Sequence, residues 1–329
     1  MTNDALQDRY DVVVVGGGAA GLNGALMLAR SRRAVVVIDA GEPRNASAAA
    51  VHGMLGHDGV PPAELLATGR AEVRRYGGHV LTGTVTAVTR EVDGFAVTVA
   101  GLRTVHARRL LVTTGLVDDL PAIDGLRERW GRDVVHCPYC HGWEVRDRPI
   151  GVLATGPMSL HAAQLFRQLS DDVVYFRHLS PQLEDHQAEE LAARGIRVVD
   201  GAVESLEVTG DRITGVRLAD GTVVPREVVA VGTGMVARAE FLDQLGLAPV
   251  PHPSGVGVHV PADPTGRTEV PGVWVAGNVT DLSAQVGASA AAGAMAGAVI
   301  NADLVAEETA AAVRATTAPG GAVAATVSL

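Results

Sequence analysis

Two cysteines separated by two residues are the first feature of this sequence that could do chemistry. They are Cys137 and Cys140, the only cysteines of the chain, and they lie in the segment HCPYCHGWE at residues 136–144. A pair at this spacing can ligate a metal, close a short structural disulfide, or carry two electrons as a redox-active disulfide. The rest of the sequence distinguishes between these uses.

The surroundings of the pair disfavour the metal and the structural uses. A zinc site from His136, Cys137, Cys140 and His141 would crowd four ligands into six residues, whereas structural zinc sites draw on two separated segments, so we expect no metal. A disulfide across so short a loop constrains few residues of the unfolded chain. The N-terminal segment lacks the layout of a secretory signal, which predicts a cytoplasmic protein, and structural disulfides do not persist in that compartment.

The N-terminal segment carries a dinucleotide-binding signature. An apolar strand at residues 12–15 is followed by Gly16-x-Gly18-x-x-Gly21, a helix of small and aliphatic residues, and a second apolar strand that ends in Asp39. Gly16 permits a tight turn, Gly18 admits a pyrophosphate to the backbone, and Gly21 packs the helix on the strand. Asp39 is placed to bind a ribose hydroxyl, so the segment predicts a Rossmann-like domain.

Two later segments favour FAD as the dinucleotide. RRLLVTTG at 108–115 and VPGVWVAGNVTD at 270–281 are apolar strands with polar or glycine ends, and they resemble the second and third FAD signatures of flavoproteins with two dinucleotide domains. The third signature usually ends in Gly-Asp, and Asn278 departs from it, keeping a hydrogen-bonding group without the charge. A helix beginning near Gln285 would point its positive end at the flavin.

The middle of the chain predicts a second domain of the same kind with a damaged turn. The segment RPIGVLATGPMSLHAAQLFRQLSDDVVYF reads as strand, turn, helix and strand. Ala154 and Thr155 replace the first two fingerprint glycines, and Pro157 follows Gly156, so a pyrophosphate would find a Cβ atom and one donor fewer. Arg177 is the only arginine where a 2′-phosphate would bind. We expect this domain to keep its fold without binding a nucleotide, the alternative being weak NADPH binding.

Length, composition and charge agree with this organisation. A chain of 329 residues exceeds the roughly 100 to 200 residues of one domain, and 47% hydrophobic residues suit a packed protein. A net charge of -10 argues against a nucleic-acid partner. The predicted fold class is therefore α/β with two Rossmann-like, doubly wound dinucleotide-binding domains. The FAD domain is discontinuous, residues 1–122 and 245–329, and the second domain, residues 123–244, carries the cysteines.

The last part of the chain contains an apolar segment that could be mistaken for a membrane span. Residues 282–302 contain no charged side chain, and Gly293 and Gly297 have the spacing of a membrane helix-dimer motif. Alanine and glycine dominate where a span would carry leucine, isoleucine and phenylalanine, so we expect a buried helix and no membrane contact. From about residue 305 onward we expect a loose tail.

The combination of an FAD domain, a Cys pair and a second Rossmann-like domain resembles the low-molecular-weight thioredoxin reductases up to about residue 303. CPYCHGWE departs from their usual Cys-x-x-Cys-Asp and is similar to the dithiol oxidases that close the disulfides of gliotoxin-, holomycin- and romidepsin-type natural products. VIDAGEPRN at 37–45 and HGMLGHDG at 52–59 are similar to the same branch. This resemblance implies FAD as the cofactor, no need for NADPH, molecular oxygen as the electron acceptor, and a homodimer.

The resemblance also assigns roles to residues. It implies that Cys140 is the thiol next to the flavin and that Cys137 exchanges with the substrate. His141 replaces the reductases' aspartate and titrates near neutrality, which suits a base that deprotonates an incoming dithiol, with Glu144 to orient it. The residues expected to contact FAD are Gly16, Gly18, Ala19, Ala20, Gly21, Asp39, Ala40, Arg44, Asn45, His52, Thr114, Gly115, Gly277, Asn278, Gln285 and Val286.

The predicted function is an FAD-dependent, oxygen-using dithiol oxidase that forms an intramolecular disulfide in a small molecule and produces hydrogen peroxide. Two alternatives stay open. The first is a thioredoxin reductase linked to NADPH or ferredoxin, which Gly156 and Arg177 would support. The second is a flavin redox sensor without catalysis, which would be favoured if no dithiol turned over at a useful rate.

Overall fold

The computed structural model describes residues 7–101 and 103–317. Its strands are β1 Arg9–Val15, β2 Val35–Asp39, β3 His79–Thr82, β4 Val85–Glu91, β5 Gly94–Val99, β6 Thr104–Val112, β7 Leu116–Asp119, β8 Val134–Val135, β9 Ile150–Leu153, β10 Val173–Phe176, β11 Arg197–Val199, β12 Val203–Thr209, β13 Arg212–Leu218, β14 Val223–Val224, β15 Val228–Val231, β16 Gly234–Ala237, β17 Val250–Pro251, β18 Gly257–His259 and β19 Val273–Val275. Its α-helices are α1 Ala19–Arg30, α2 Pro62–Arg75, α3 Leu126–Arg129, α4 Pro138–His141, α5 Ser159–Phe166, α6 Asp185–Ala193 and α7 Val286–Thr317, and short 3₁₀ helices span Glu240–Leu245 and Gly277–Val279.

The first domain is built on a sheet that joins both ends of the chain. Its strand order is β3-β2-β1-β6-β5-β4, and β19 pairs in parallel with the C-terminal part of β6. The strands β1, β2, β3, β6 and β19 are parallel to their neighbours in this core. Both faces are covered, because Val13 and Val15 pack in one hydrophobic cluster and Val12 and Val14 in another. This two-sided burial explains the unbroken valine run of β1.

The second domain repeats the arrangement on a smaller scale. Its parallel sheet has the order β11-β10-β9-β15-β8, and a three-stranded antiparallel sheet, β12-β13-β14, packs beside it. Hydrophobic clusters again lie on two sides of the parallel sheet, around Phe176 and around Phe166. The prediction of an α/β protein with two Rossmann-like domains, the first of them discontinuous, is confirmed.

Two antiparallel strands connect the domains. The chain leaves the first domain through β7 and returns through β16, and the two strands pair from Leu116 with Ala237 to Asp119 with Gly234. The strands β17 and β18 extend this small sheet. The crossovers lie some residues before the predicted boundaries at 122/123 and 244/245, and those boundaries stay a prediction.

Helix α7 packs inside the first domain against α1. By length and composition it could cross a membrane. However, a Cβ atom on Gly293 would lie 1.9 Å from the Ala20 carbonyl oxygen, and one on Gly297 would lie 2.6 Å from that of Gly24. The two glycines that resemble a membrane dimer motif therefore allow close contact between α1 and α7 within one chain.

The expectation of a loose tail from about residue 305 is wrong up to Thr317, because α7 continues that far. Its later turns form ion pairs with arginines that follow α1 or lie on β6 of the same domain. Glu308 lies 2.6 Å from Arg33 Nη1 and 2.7 Å from Arg108 Nη1, and Glu307 contacts both Arg108 and Arg109. Carboxylates on the helix thus find guanidinium partners that are distant in sequence. The predicted tail beyond residue 317 lies outside the described residues.

These ion pairs predict a pH-dependent contribution to stability. Hydrogen bonds from Arg33 and then Arg108 lower the pKa of Glu308 to about 2, so its contribution is complete above the ordinary pKa of 4.5 and is lost as the pH falls toward 2. Because Glu308 is half exposed, we expect Glu308→Gln to reduce the free energy of unfolding at pH 7 by about 1 kcal/mol at most. Urea unfolding at pH 7 and pH 3 should show a smaller difference from wild type at pH 3. The control is Glu189→Gln on the exposed face of α6, and an equal effect of both variants would contradict the assignment.

Candidate functional site

The glycine-rich turn between β1 and α1 forms the first part of the site. Gly16 has φ +104°, and a Cβ atom there would lie 2.5 Å from the Thr113 carbonyl oxygen. A Cβ on Gly21 would lie 1.9 Å from the Gly16 carbonyl oxygen. Gly18 is different, because no heavy atom of the described chain lies within 4 Å of its Cβ position. Gly16 and Gly21 therefore meet a packing constraint, whereas the space beside Gly18 is open for a ligand.

Asp39 ends β2 beside this turn. Its Oδ1 accepts hydrogen bonds from the backbone amides of Gly17, at 3.1 Å, and Gly41, at 3.3 Å. Its Oδ2 lies 3.9 Å from Nη1 of Arg70 on α2. One carboxylate oxygen is thus fixed by the backbone, and the other faces a cation at the edge of the cavity, where a ribose hydroxyl would approach.

A cluster around Asp118 joins three distant segments. Arg44 donates to both carboxylate oxygens of Asp118, at 2.6 and 2.7 Å, and Thr233 Oγ1 donates to Asp118 Oδ1 at 2.6 Å. Arg44 Nη1 also donates to Asn278 Oδ1 at 3.3 Å. Burial acts to raise the pKa of Asp118, but the hydrogen bonds and charge of Arg44 outweigh it, so the pKa lies below its usual value. Asp118 is ionised at neutral pH and anchors Arg44.

The third FAD signature lies between β19 and α7. Gly277 has φ +75°, and a Cβ atom there would be 3.0 Å from that of Ala20 on α1. The Asn278 side-chain amide donates to the carbonyl oxygens of Asp281 and Ala284, each at 2.9 Å. Asn278 therefore orders the segment that leads into α7, a role that an aspartate could not fill because a carboxylate has no donor.

The two cysteines form a disulfide at the start of α4. Their Cα atoms are 5.2 Å apart, and the amides of Cys140 and His141 both donate to the Cys137 carbonyl oxygen. A Cβ atom on Gly142 would lie 2.1 Å from the Pro138 carbonyl oxygen, so this glycine lets the chain turn closely after the helix. Both cysteines are partly exposed, which leaves the disulfide open to a thiol.

The histidines near the disulfide have different surroundings. Burial lowers the pKa of His141, the charge of Glu144 acts to raise it, and His52 acts to lower it further. His136 Nδ1 is 3.1 Å from the Val231 carbonyl oxygen, and burial lowers the pKa of this imidazole too. Glu144 lies 3.3 Å from His52 Nε2, so it contacts His52 where we expected it to orient His141. His141 is thus neutral at pH 7 and able to accept a proton.

One cavity of about 1560 Å³ connects these parts. It is lined by every predicted site residue except Gly21, which lies beneath the turn: Gly16, Gly18, Ala19, Ala20, Asp39, Ala40, Arg44, Asn45, His52, Thr114, Gly115, Cys137, Cys140, His141, Gly277, Asn278, Gln285 and Val286. Its size, the open space at Gly18 and the uncapped start of α1 suit a dinucleotide that reaches from Asp39 toward the disulfide. The individual contacts with the cofactor stay a prediction.

Sequence reasoning missed three residues at this site: Asp118, Thr233 and Ser159. The first two hold Arg44, and Ser159 caps the turn of the second domain, where its Oγ accepts from the amides of Thr155 and Gly156. An aspartate and a threonine in loops or short strands carry no motif, so no sequence signal marks Asp118 or Thr233. Ser159 is the first residue of α5 and bonds back to the preceding turn, so no helix-cap signal marks it.

Comparison with known proteins gives the family. Residues 10–298 match the sequence profile described as pyridine nucleotide-disulphide oxidoreductase. The chain belongs to this family. FAD is its cofactor, as the three signatures predicted, and the residues around Gly18 and Asp39 fit that dinucleotide.

Two relatives and two solved structures place the chain among the thioredoxin reductase-like members. It is 33% identical over 279 residues to thioredoxin reductase tcpT of Claviceps purpurea, with 82% of this chain and 86% of the relative covered. It is 28% identical over 291 residues to thioredoxin reductase sirT of Leptosphaeria maculans, with the same two shares covered. The crystal structure of HlmI is 47% identical with a TM-score of 0.88, covering 94% of this chain and 97% of that one. The putative thioredoxin reductase TrxB of Bacillus anthracis is 28% identical with a TM-score of 0.84, covering 91% and 99%. The predicted resemblance is confirmed.

The glycines of the two turns allow a matched test of cofactor binding. Gly18→Val should fold but lose the yellow colour, because the added side chain meets only the space reserved for the cofactor. The control is Gly156→Val in the second domain, where the Cβ position is also free within the described chain, and it should keep wild-type flavin content. Gly21→Val should fail to pack. Flavin absorbance per polypeptide and far-UV circular dichroism measure both properties, and a yellow Gly18→Val protein would refute the assigned approach.

Proposed function

We propose that this enzyme oxidises a small-molecule dithiol to its intramolecular disulfide, and that the electrons pass through Cys137–Cys140 and FAD to oxygen, giving hydrogen peroxide. One observation carries the proposal: the disulfide opens on the FAD cavity, whereas the nucleotide turn of the second domain is occupied by its own side chains. A thiol donor therefore has access to the disulfide, whereas a nicotinamide donor would meet a turn whose amides are already hydrogen-bonded.

The turn after β9 already uses two of its amides within the protein. The backbone amides of Thr155 and Gly156 donate to Ser159 Oγ at 3.1 and 3.2 Å, and Thr155 Oγ1 donates to the Gly232 carbonyl oxygen. Pro157, the next residue, has no amide hydrogen. A pyrophosphate would have to displace hydrogen bonds that the protein already makes, so the usual gain from a glycine-rich turn is absent.

The arginine after β10 is also committed. Arg177 pairs with Asp200 through Nε, and its Nη1 donates to the Ser180 carbonyl oxygen at 2.7 Å. A 2′-phosphate would compete with a carboxylate for the same guanidinium group. These contacts support an enzyme that does not use NADPH.

The residues at the disulfide can carry out the exchange. One substrate thiolate attacks the Cys137 sulfur, forms a mixed disulfide and releases the Cys140 thiolate; the second substrate thiolate then attacks the mixed disulfide, closes the substrate disulfide and releases Cys137. His141 accepts a proton from the substrate thiol, because only thiolates attack. When bound, FAD would supply the two-electron carrier between the cysteine pair and oxygen.

Thioredoxin reductase activity is the second candidate. The names of tcpT, sirT and the Bacillus anthracis protein favour it. It would require a nicotinamide or another donor to reduce FAD, and the occupied turn around Ser159 argues against the nicotinamide. The direction of electron flow therefore separates the two candidates.

We further propose a cytoplasmic homodimer that binds neither nucleic acid nor membrane. Large apolar side chains on α1 and α7 are exposed in the single chain, namely Met27, Met295, Val305 and Val313. A second copy would cover this surface. The net charge of -10 disfavours nucleic acid.

An anaerobic experiment tests the electron donor. Oxidised enzyme is mixed with excess NADPH in one cuvette and with reduced dithiothreitol in another, and flavin bleaching is followed. We expect fast bleaching with the dithiol only, with colour and hydrogen peroxide appearing when air is admitted. Rapid, saturable bleaching by NADPH would overturn the oxidase assignment.

Cysteine variants are the controls for this experiment. Cys137→Ser and Cys140→Ser should each abolish dithiol turnover. Only Cys137→Ser should leave a thiolate beside the flavin and show a long-wavelength charge-transfer band. The band in Cys140→Ser instead would reverse the assigned order.

Removal of the base should change the pH dependence. Because burial lowers the pKa of His141, it is neutral at pH 7, and dithiol oxidation in wild type should fall only as the pH drops through that lowered pKa. His141→Ala should be slower by about a hundredfold near neutrality, the usual scale for losing a general base, and should lack this acid limb. The measurement is the turnover rate between about pH 5 and 8, the range in which histidines titrate. An unchanged profile would remove His141 from the mechanism.

A further inference from the structure

The cavity that contains the disulfide extends into the second domain. Its lining includes the carboxyl ends of β8, β9 and β15, three neighbouring strands of that domain's parallel sheet, together with the start of α5. We call this part of the cavity the second-domain crevice. In an open α/β sheet, ligands bind in the crevice outside the carboxyl ends of the strands. The whole cavity, at about 1560 Å³, exceeds the roughly 300 to 1,000 Å³ of an ordinary ligand pocket, so it has room for a ligand besides FAD.

One side of α5 forms a wall of this crevice. Four residues at positions i, i+3, i+4 and i+7 line the cavity: Met158, which immediately precedes the helix, His161, Ala162 and Leu165. This spacing places them on one side of the helix, and we call them the α5 face. The other side of the helix packs in the core of the second domain through Phe166, which is fully buried. The core therefore fixes the orientation of the α5 face toward the cavity.

Helix α5 lies against the helix that carries the disulfide. Helices α4 and α5 are in contact, and a Cβ atom on Gly142, which ends α4, would lie 2.3 Å from Cδ1 of Leu169, which follows α5. Cys137 and Cys140 line the same cavity as the α5 face. When a thiol of the substrate reaches Cys137, the rest of the substrate molecule therefore lies in the cavity beside this face.

The second-domain crevice has an apolar lining. Among residues 130–165 and 230–234, no lysine, arginine, aspartate or glutamate lines the cavity. The turn amides are already bonded to Ser159, as described above. By contrast, two large side chains of the lining are exposed to the cavity and to solvent, since Met158 is 52% exposed and Tyr139 is 68% exposed. Such a surface favours an apolar ligand, because a buried charge would find no partner there.

We propose that the second-domain crevice binds the body of the dithiol substrate, and that Met158 and Leu165 determine a preference for neutral, apolar dithiols over charged ones. This inference rests on the proposed function and adds the class of substrate to it. The part of the second domain in which a nicotinamide cofactor would lie thus serves the substrate of the disulfide.

A charge placed on the α5 face tests this preference. Dihydrolipoate and dihydrolipoamide carry the same dithiol and differ by one carboxylate, and kcat/KM is measured for both. Met158→Lys should raise the ratio of kcat/KM for dihydrolipoate to that for dihydrolipoamide by about tenfold, the scale of one charge pair near a protein surface. The control is Leu179→Lys, which adds the same charge at an exposed apolar residue of the second domain outside the cavity and should keep the wild-type ratio.

Truncation of the same side chain tests the apolar contact. Met158→Ala should lower kcat/KM for benzenedimethanethiol, a neutral aromatic dithiol, about tenfold more than for dithiothreitol, which has less apolar surface to bury. The difference should appear in KM, since the contact is made before and during the reaction alike. Leu179→Ala should keep the wild-type ratio of the two substrates. Flavin content per polypeptide shows that each variant is folded.

The outcomes separate this inference from the proposed function. A wild-type substrate ratio in either Met158 variant would overturn the inference and leave the oxidase assignment intact. Competitive inhibition of benzenedimethanethiol oxidation by NADP⁺ would show that a nucleotide occupies the second-domain crevice, and it would also overturn the inference. Failure of the wild-type enzyme to oxidise dithiothreitol would instead overturn the proposed function, and this inference with it.

Discussion

The ion pair between Arg44 and Asp118 is the contact on which the geometry of the site depends. Asp118 is almost fully buried, and a buried carboxylate is costly unless its oxygens are well bonded. Arg44 supplies two hydrogen bonds and Thr233 a third. Because Asp118 lies on β7 and Thr233 immediately precedes β16, the pair fixes both connections between the domains. Together with the pairing of β7 and β16, this contact holds the domain that carries the disulfide beside the FAD cavity.

Arg44 also reaches Asn278, so the same guanidinium group joins the segment after β2, the crossover strands and the third signature. Asn278 in turn orders the chain that leads into α7 through its amide donors. The replacement of the usual aspartate by asparagine therefore has a local structural consequence. It keeps the turn while leaving Asp118 as the carboxylate that binds Arg44.

The second domain keeps the fold of a dinucleotide-binding domain while the groups at its turn are bonded within the protein. Its parallel sheet and helices are those of a dinucleotide-binding domain, yet Ser159 satisfies the amides of the turn and Asp200 binds Arg177. Packing of the strands does not depend on a bound nucleotide, because the hydrophobic clusters lie on the faces of the sheet, away from the turn. The domain still has a use, since it presents the disulfide to the FAD cavity.

The sequence by itself determined the elements whose chemistry is contiguous: the glycine turn with Gly16, Gly18 and Gly21, the disulfide at Cys137 and Cys140, and the two-domain fold. Valine runs and glycine spacing express local backbone constraints, so they can be recognised without a structure. Only the tertiary structure decided which side chains meet across the chain. Arg44 and Asp118 are 74 residues apart, and Asp118 and Thr233 are 115 residues apart. Likewise, Glu144 contacts His52, and α7 continues to Thr317. Both features depend on side chains from other segments, and a local sequence pattern does not indicate where those side chains will lie.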